Sequence, residues 1–550
     1  MKKNSFIEGT FIATASVILV KILGMIYVVP FYIIVGSQGG ALYSYAYNIY
    51  LIFLGISSAG IPSAISKIIS EYNTLGLEEA KTRAFKLGKK FIGYVSVLSF
   101  IILFVFAEEL AGLILGNLSG GNTVADVSFV IRCVSFAILV IPHLSVTKGY
   151  LQGHNYITPS SNSNLIEQIV RIFIILTGSY FAYKVLNASL TVAVGVAVFG
   201  AFVGGLVAYL YLQRSIRKNK KALNLDKKLK KDPITNKEII KKIAVYAMPF
   251  IIINLVNSIY SFTDMVMILR TLDHLGYTAN DAEFITSVIS TWGSKLCMIV
   301  NSIGMGMTVS LIPSIVEAYT SKNWDDLNHK INKALQMIIF ISLPLTIGLS
   351  ILATPVWTVF YNINRYGGEI LKILIFSALA ANLYMIVTTA LQSLNKYKAV
   401  YQAAIFGFLF KVVLNIPLMI LCNYINIGAY YGAITATLIS FAISIYIGLH
   451  AISLEHKMTY QETVKNIFKI MIPALSMIAV LLFMNQFLPF NVYSRTSSVK
   501  LILINAIIGG LIYIGLSLKL KIPQEIFGGK ELEKIIKKLT FGKFKIKNKD

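Results

Sequence analysis

Two lysines and one aspartate lie inside long apolar segments, where a charge is unfavourable. Lys21, within SVILVKILGMIYVVPFYIIVG, is the only charged residue between Glu8 and Lys67. Lys295 lies in TWGSKLCMIVNSIG and Asp264 in NSIYSFTDMVMILR. A charge at the centre of a membrane helix costs about 2.5–3.5 kcal/mol on insertion scales and usually marks a transport pathway. We predict that the lysines bind an anionic group such as a phosphate, whereas Asp264 could bind a coupling cation or proton or be a structural counter-ion.

The structural alternative gives these three charges no part in transport. The lysines would then pair with buried carboxylates such as Asp264, or extend their side chains to the membrane surface. Snorkelling from the middle of a span is difficult, and this favours the functional interpretation of both lysines. Asp264 is equally well explained as a structural counter-ion.

A second polar motif, TKGYLQGHNYITPSSNSNLIEQIVRIF at 147–173, joins two apolar segments. It carries Lys148, Gln152, Glu167 and Arg171, which we place near the cytoplasmic face. Glu167 and Arg171 are four residues apart, so they can pair along one face of a helix. This spacing predicts a mainly structural role for the motif.

The elements that position these residues are predicted from the hydropathy of the chain. Of 550 residues, 56% are hydrophobic, the mean hydropathy is +0.70, and apolar segments long enough to cross a bilayer recur from end to end. Because a bilayer core leaves backbone groups without water, these segments should be helices. The sequence predicts an all-α polytopic membrane protein with about fourteen transmembrane helices, at 10–35, 42–66, 91–115, 127–150, 160–184, 189–213, 243–270, 284–315, 333–359, 369–394, 399–422, 427–453, 465–488 and 498–520.

The positive charges alternate between the connecting loops. The net charge is +25, and residues 214–242 alone carry twelve Lys and Arg. The tail after 518 is also basic, whereas the loops at 108–126 and 271–283 contain acids and no Lys or Arg. This pattern indicates a multi-pass protein of the bacterial plasma membrane with both termini cytoplasmic. It favours contact with anionic lipids, and the absence of any nucleic-acid motif argues against nucleic acid as a partner.

The basic segment divides the chain into comparable halves with weak internal similarity. YLQGHN at 150–155 resembles ALQSLN at 390–395, an offset of 240. We predict two six-helix repeats, at 1–213 and 243–453, joined by a basic cytoplasmic linker at 214–242. Two extra transmembrane helices at 454–520 and a basic cytoplasmic tail at 521–550 complete the plan. Such duplicated transporters bind substrate near the membrane midplane at the repeat interface.

Signatures of catalysis are absent from the sequence. It contains no Walker A loop, HExxH or GxSxG, and the three cysteines share no close spacing. We therefore expect no enzyme activity, no catalytic residue, no bound metal and no cofactor. Transport would draw on a coupling ion, Na⁺ or H⁺, or on the membrane potential.

The N-terminal stretch GTFIATASVILVKILGMIYVVPFYIIVG and the motif KGYLQGHNYITPSSNSNLIEQIVR resemble Gram-positive polysaccharide-biosynthesis membrane proteins. This group includes the lipid II flippase type and sporulation relatives, within the multidrug/oligosaccharidyl-lipid/polysaccharide exporter superfamily. The likeness covers nearly the whole chain. It implies a flippase that moves an undecaprenyl-pyrophosphate-linked glycan, foremost lipid II, from the inner to the outer leaflet by alternating access. The cellular role implied is peptidoglycan biosynthesis, and with it cell-wall biogenesis and cell shape.

The same resemblance assigns roles to particular residues. Lys21 and Lys295 occupy family cation positions, in a central cavity proposed to hold the pyrophosphate. Arginine is usual at the first of these positions. Two further cations of the Gram-negative branch are missing here, because Tyr27 and Leu54 stand in their places.

Three other functions stay open at this point. The chain could export another lipid-linked polysaccharide, or export cationic drugs by ion coupling, which would favour carboxylates in the cavity. It could also be a non-transporting scaffold that binds cell-wall synthesis proteins. In a scaffold the lysines inside the spans would have no role, so replacing them with leucine would be harmless.

Overall fold

The computed structural model describes residues 6–58, 60–118, 120–220, 223, 232–456, 458–487 and 494–528. Part of the predicted linker (221–222 and 224–231) and most of the predicted tail (529–550) lie outside these residues. The described helices are α1 Phe6–Ile26, α2 Val28–Ser58, α3 Ile61–Thr74, α4 Glu78–Val105, α5 Ala107–Leu115, α6 Val124–Gly153, α7 Ile157–Phe173, α8 Leu190–Lys218, α9 Asn236–His274, α10 Ala279–Ser287, α11 Gly293–Thr320, α12 Trp324–Ile351, α13 Ala353–Tyr361, α14 Gly367–Ser393, α15 Tyr397–Tyr424, α16 Ala429–His456, α17 Gln461–Phe487, α18 Arg495–Lys519 and α19 Ile522–Phe527.

The all-α polytopic class is confirmed, whereas the number of fourteen spans stays a prediction. Within the described residues, eleven helices are long and apolar enough to cross a membrane. The other three predicted segments, 10–35, 243–270 and 284–315, fall on α1 with the start of α2, on α9, and on α10 with α11. The first of them is interrupted between α1 and α2. Just after its end, the positive φ of 66° at Gly36 breaks the helical path of α2.

Helix boundaries repeat along the chain at fixed offsets. Helices α4 and α12 both contain 28 residues, α5 and α13 both contain nine, and each pair starts 246 residues apart. The α6–α7 turn and the α14–α15 turn are 240 residues apart, and each has a left-handed asparagine, Asn155 and Asn395. Equal lengths and equal turn conformations support the duplication that the sequence predicted.

Local sequence determines where several helices begin. Helix α9 starts after the basic segment, where Thr235 and Glu238 form a capping box with each other's backbone N–H groups. Helix α6 starts with the same device, formed by Thr123 and Asp126. Helix α7 continues as π-helical turns as far as Val185, and a π-helical turn at 288–292 links α10 to α11.

The chain forms two compact units, Met1–Trp292 and Gly293–Asp550. In the first unit, α3, α4, α6, α8 and α9 share an apolar core at the end predicted to be cytoplasmic. Leu223, from the predicted linker, is buried in that core with Ile239 and Ile243 of α9. In the second unit, α14 packs against α11, α12 and α16, and α15 packs against α16.

Candidate functional site

The polar motif around the α6–α7 turn connects these two helices through an ion pair and a hydrogen bond. Lys148 Nζ lies 3.0 Å from Glu167 Oε2, and Gln152 Nε2 donates to Ser160 Oγ at 2.9 Å. Glu167 therefore forms its ion pair across the turn with Lys148, and the predicted pairing with Arg171 on the same helix is wrong. An opposite charge on the neighbouring helix competes successfully because the partly buried α6–α7 contact brings it close.

Two glycines of the same motif let α3 approach α6 closely. A methyl group on Gly149 would lie 2.5 Å from the Pro62 carbonyl oxygen, and one on Gly153 would lie 2.7 Å from that of Ser66. No side chain fits in that space, so glycine is needed at both positions. Tyr150, between them, stacks on Phe85 with ring centroids 4.0 Å apart. The motif is thus a packing junction of α3, α4, α6 and α7.

Arg171 lies within the same unit among aromatic side chains. Its guanidinium carbon is 5.6 Å from the Tyr47 ring centroid. Four tyrosines lie around it, and we call them the tyrosine cluster: Tyr27, Tyr43, Tyr47 and Tyr50. Arg171 is fourteen residues beyond the start of α7, roughly 21 Å along the helix, so it lies deep in the span. The sequence prediction that Arg171 lies near the cytoplasmic face is therefore wrong, and sequence spacing did not predict its aromatic neighbours.

The tyrosine cluster is formed by one helical face and a helix junction. Tyr43, Tyr47 and Tyr50 follow an i, i+4, i+7 spacing on α2, which places their rings on one face. Tyr27 stands between α1 and α2, and its hydroxyl is 3.5 Å from that of Tyr43. Trp292 packs on Tyr43 with centroids 5.6 Å apart. This spacing is the signal by which the sequence could have revealed the cluster.

Lys21 lies on α1 next to α7. The two helices run alongside each other, because Ser16 Oγ donates to the Ser161 carbonyl at 2.9 Å and Gly24 faces the Gln168 amide. Lys21 is partly buried between these two contacts. Along the helix direction, Arg171 lies about one and a half turns beyond the level of Lys21, roughly 8 Å.

The remaining predicted site residues are distributed over both units. Asp264 lies on α9 of the first unit and is only 7% exposed. Lys295 lies in the first turn of α11, in the second unit, and is partly buried. The second unit also contains a cation that the sequence prediction did not place in the site, Lys411 of α15, which is 1% exposed and donates to the Ala433 carbonyl and to Thr437 Oγ1.

The buried carboxylate of Glu283 binds the loop before α6 in the first unit. Glu283 of α10 is 1% exposed and accepts from the Asn122 backbone N–H at 2.9 Å and from its side-chain amide at 2.8 Å. The same amide donates to the Gln38 carbonyl. Burial, with a further contribution from Asp126, raises the pKa of Glu283 to about 7, while the hydrogen bonds from Asn122 oppose this rise.

Long apolar helices with ionisable side chains inside them are typical of a polytopic membrane transporter. Comparison with known proteins identifies the family. The model of the polysaccharide biosynthesis protein family matches residues 6–291, and the MatE model matches residues 249–416. The chain belongs to the polysaccharide biosynthesis protein family, in the Gram-positive lipid II flippase group that the N-terminal stretch and the α6–α7 motif resemble.

Individual relatives agree with this assignment. The chain is 31% identical over 536 residues to the protein named lipid II flippase MurJ of Bacillus subtilis (strain 168), covering 96% of this chain and 97% of that one. A solved lipid II flippase MurJ in an inward closed conformation has a TM-score of 0.65 at 18% identity, covering 93% and 99%. An inward-facing MATE family multidrug transporter has a TM-score of 0.60 at 14% identity, covering 80% and 96%. The chain is a multi-pass bacterial membrane transporter and not an enzyme.

Proposed function

We propose that this protein is a flippase for lipid II, the undecaprenyl-pyrophosphate-linked peptidoglycan precursor, and moves it from the inner to the outer leaflet. The observation that carries the proposal is the end-to-end similarity to the Bacillus subtilis flippase. A transporter for such a substrate needs cations in its spans for the pyrophosphate, and Lys21 and Lys295 are partly buried cations on two different helices. Alternating access by the two repeats is the proposed mechanism.

Lys21 and Lys295 are the proposed substrate-binding residues. Each ammonium group would act as a point-charge donor to phosphate oxygens, in surroundings drier than bulk water, where a charge interaction is stronger. Removing either charge should slow transport and leave the fold intact, because neither side chain fills a fully buried core position.

The test is the transfer of labelled lipid II between leaflets of proteoliposomes. We expect Lys21→Ala and Lys295→Ala to lose transfer. Lys184→Ala, at the end of the α7 π-helical segment, and Lys372→Ala, paired on the surface with Glu369, are lysine controls that should retain it. Normal transfer by both Lys21→Ala and Lys295→Ala would refute the assigned sites. Failure of the wild type to move lipid II, together with failure to complement a strain depleted of its flippase, would refute the function.

Energy coupling is the second part of the proposal. The MatE match favours use of a coupling ion, Na⁺ or H⁺, and we propose Asp264 as the carboxylate that binds it. Transfer by the Asp264→Asn variant should lose its response to an imposed Na⁺ or H⁺ gradient. An unchanged response would remove Asp264 from this role. An ion-coupled drug exporter is the alternative function, and it would show drug efflux without lipid II transfer.

Orientation and partners complete the proposal. The basic loops support cytoplasmic N- and C-termini, and the same cations should contact anionic lipid head groups. Cell-wall synthesis proteins are the proposed protein partners, because they use the transported precursor. Labelling of single cysteines introduced near each terminus, from one side of the membrane at a time, tests the orientation.

A further inference from the structure

A cation and four phenols inside the first unit have chemistry that the proposed lysine sites do not use. Arg171 and Tyr47 are half-buried, whereas Tyr27, Tyr43 and Tyr50 are at most 7% exposed. The arginine therefore stands at the open edge of the tyrosine cluster. Its planar group presents five N–H donors, and the hydroxyl of the partly exposed Tyr47 adds one O–H donor.

The Arg171 guanidinium lies over an aromatic ring, 5.6 Å from the Tyr47 centroid, while the carboxylate one turn away on its own helix pairs with another cation. Glu167, one helical turn earlier, is engaged by Lys148 at 3.0 Å, and the ring contact of the guanidinium is with a phenol of the tyrosine cluster. A ring face offsets only part of the cost of placing a cation in a membrane span. A bound anion would supply the rest, and Lys21 lies on α1, the helix that runs beside α7.

We propose that Arg171 and the tyrosine cluster bind the diphosphate group of the transported lipid. Naming a lipid diphosphate rests on the proposed function, whereas the anion site rests on the geometry alone. A guanidinium binds two phosphate oxygens at once through parallel N–H groups, which an ammonium group cannot do. Arg171 thus supplies the bidentate contact that Lys21 and Lys295 lack, and Tyr47, the half-exposed phenol, donates to a further oxygen.

The binding experiment uses the full chain in detergent and measures the thermal shift that three probes induce. The probes are inorganic pyrophosphate, undecaprenyl diphosphate and lipid II, so that the free anion and the lipid-linked anion are distinguished. The variants are Arg171→Gln, which removes the positive charge, and Arg171→Lys, which keeps the charge but lacks the two parallel N–H groups of the guanidinium. Arg365→Gln is the matched control, because Arg365 also stacks on a tyrosine, at 5.4 Å from Tyr366, but in an exposed loop.

The wild type and Arg365→Gln should bind the diphosphate probes equally. Arg171→Gln should bind the diphosphate probes at least about tenfold more weakly than the wild type does. The affinity of Arg171→Lys should lie between those of the wild type and Arg171→Gln. A role in folding alone would lower the melting temperature of Arg171→Gln without changing the probe-induced shift. Wild-type affinity in Arg171→Gln, or no shift of the wild-type protein with any probe, would overturn the site.

Leaflet transfer measured in parallel separates the two proposals. If the wild type moves lipid II and Arg171→Gln binds every probe like the wild type, this inference fails and the flippase function stands. If the probes bind through Arg171 but lipid II is not moved, the function fails and the anion site stands.

Discussion

The stability of the first unit should depend on the protonation of Glu283. Its carboxyl group is 1% exposed, and burial raises its pKa from the ordinary 4.5 to about 7. A raised pKa in the folded state means that the folded protein binds this proton more tightly than the unfolded chain does. The stabilisation is therefore fully present below about pH 4.5 and is lost as the pH rises to about 7.

The structure gives the size of this effect. A shift from 4.5 to about 7 corresponds to about 3 kcal/mol at roughly 1.4 kcal/mol per pH unit, on the order of a hundredfold in the opening equilibrium. The segment that opens should be the loop before α6, because the backbone N–H and the side-chain amide of Asn122 both donate to this carboxylate. A methyl group on Gly121 would lie 2.7 Å from it.

Hydrogen–deuterium exchange of residues 120–123 and of α10, corrected for intrinsic exchange rates, measures this opening between pH 4.5 and 7.5. Protection should fall with rising pH in the wild type and stay nearly constant in Glu283→Gln, whose amide does not titrate. Glu109→Gln, an exposed acid on α5, is the control and should keep the wild-type slope. An unchanged pH dependence in Glu283→Gln would refute the reasoning.

Three further predictions concern packing and helix ends. Gly149→Ala should lower stability by about 1–3 kcal/mol, because its methyl group meets the backbone of α3, whereas Gly112→Ala, with open space around it, should be neutral or slightly stabilising in the same thermal melt. Lys148→Met should lower the melting temperature of the protein more than the double variant Lys148→Met/Glu167→Leu does, because the single change leaves the partly buried Glu167 carboxylate without its cation. Equal melting temperatures of the two variants would contradict this. Thr235→Ala should cost about 1 kcal/mol by removing the cap of α9, and exchange at the first turn of that helix would show it.

The sequence by itself determined the helical class and the family, and it predicted the repeated plan. These properties follow from hydropathy and local spacing, which need no knowledge of distant contacts. Equal offsets between similar segments predicted a duplication, and the helix lengths support it. Helix α9 begins at a capping box, in which a threonine is followed three residues later by an acid. The charges inside the spans were visible for the same reason, because a single lysine stands out in an apolar run.

Only the tertiary structure decided which partners those polar residues have. Glu167 pairs with Lys148 across a turn, and Arg171 lies beside tyrosine rings of α2 and of the α1–α2 junction. Glu283 is buried by a loop 161 residues earlier in the chain. Burial and hydrogen bonding between such distant segments depend on how helices pack, and neither periodicity nor composition records that packing.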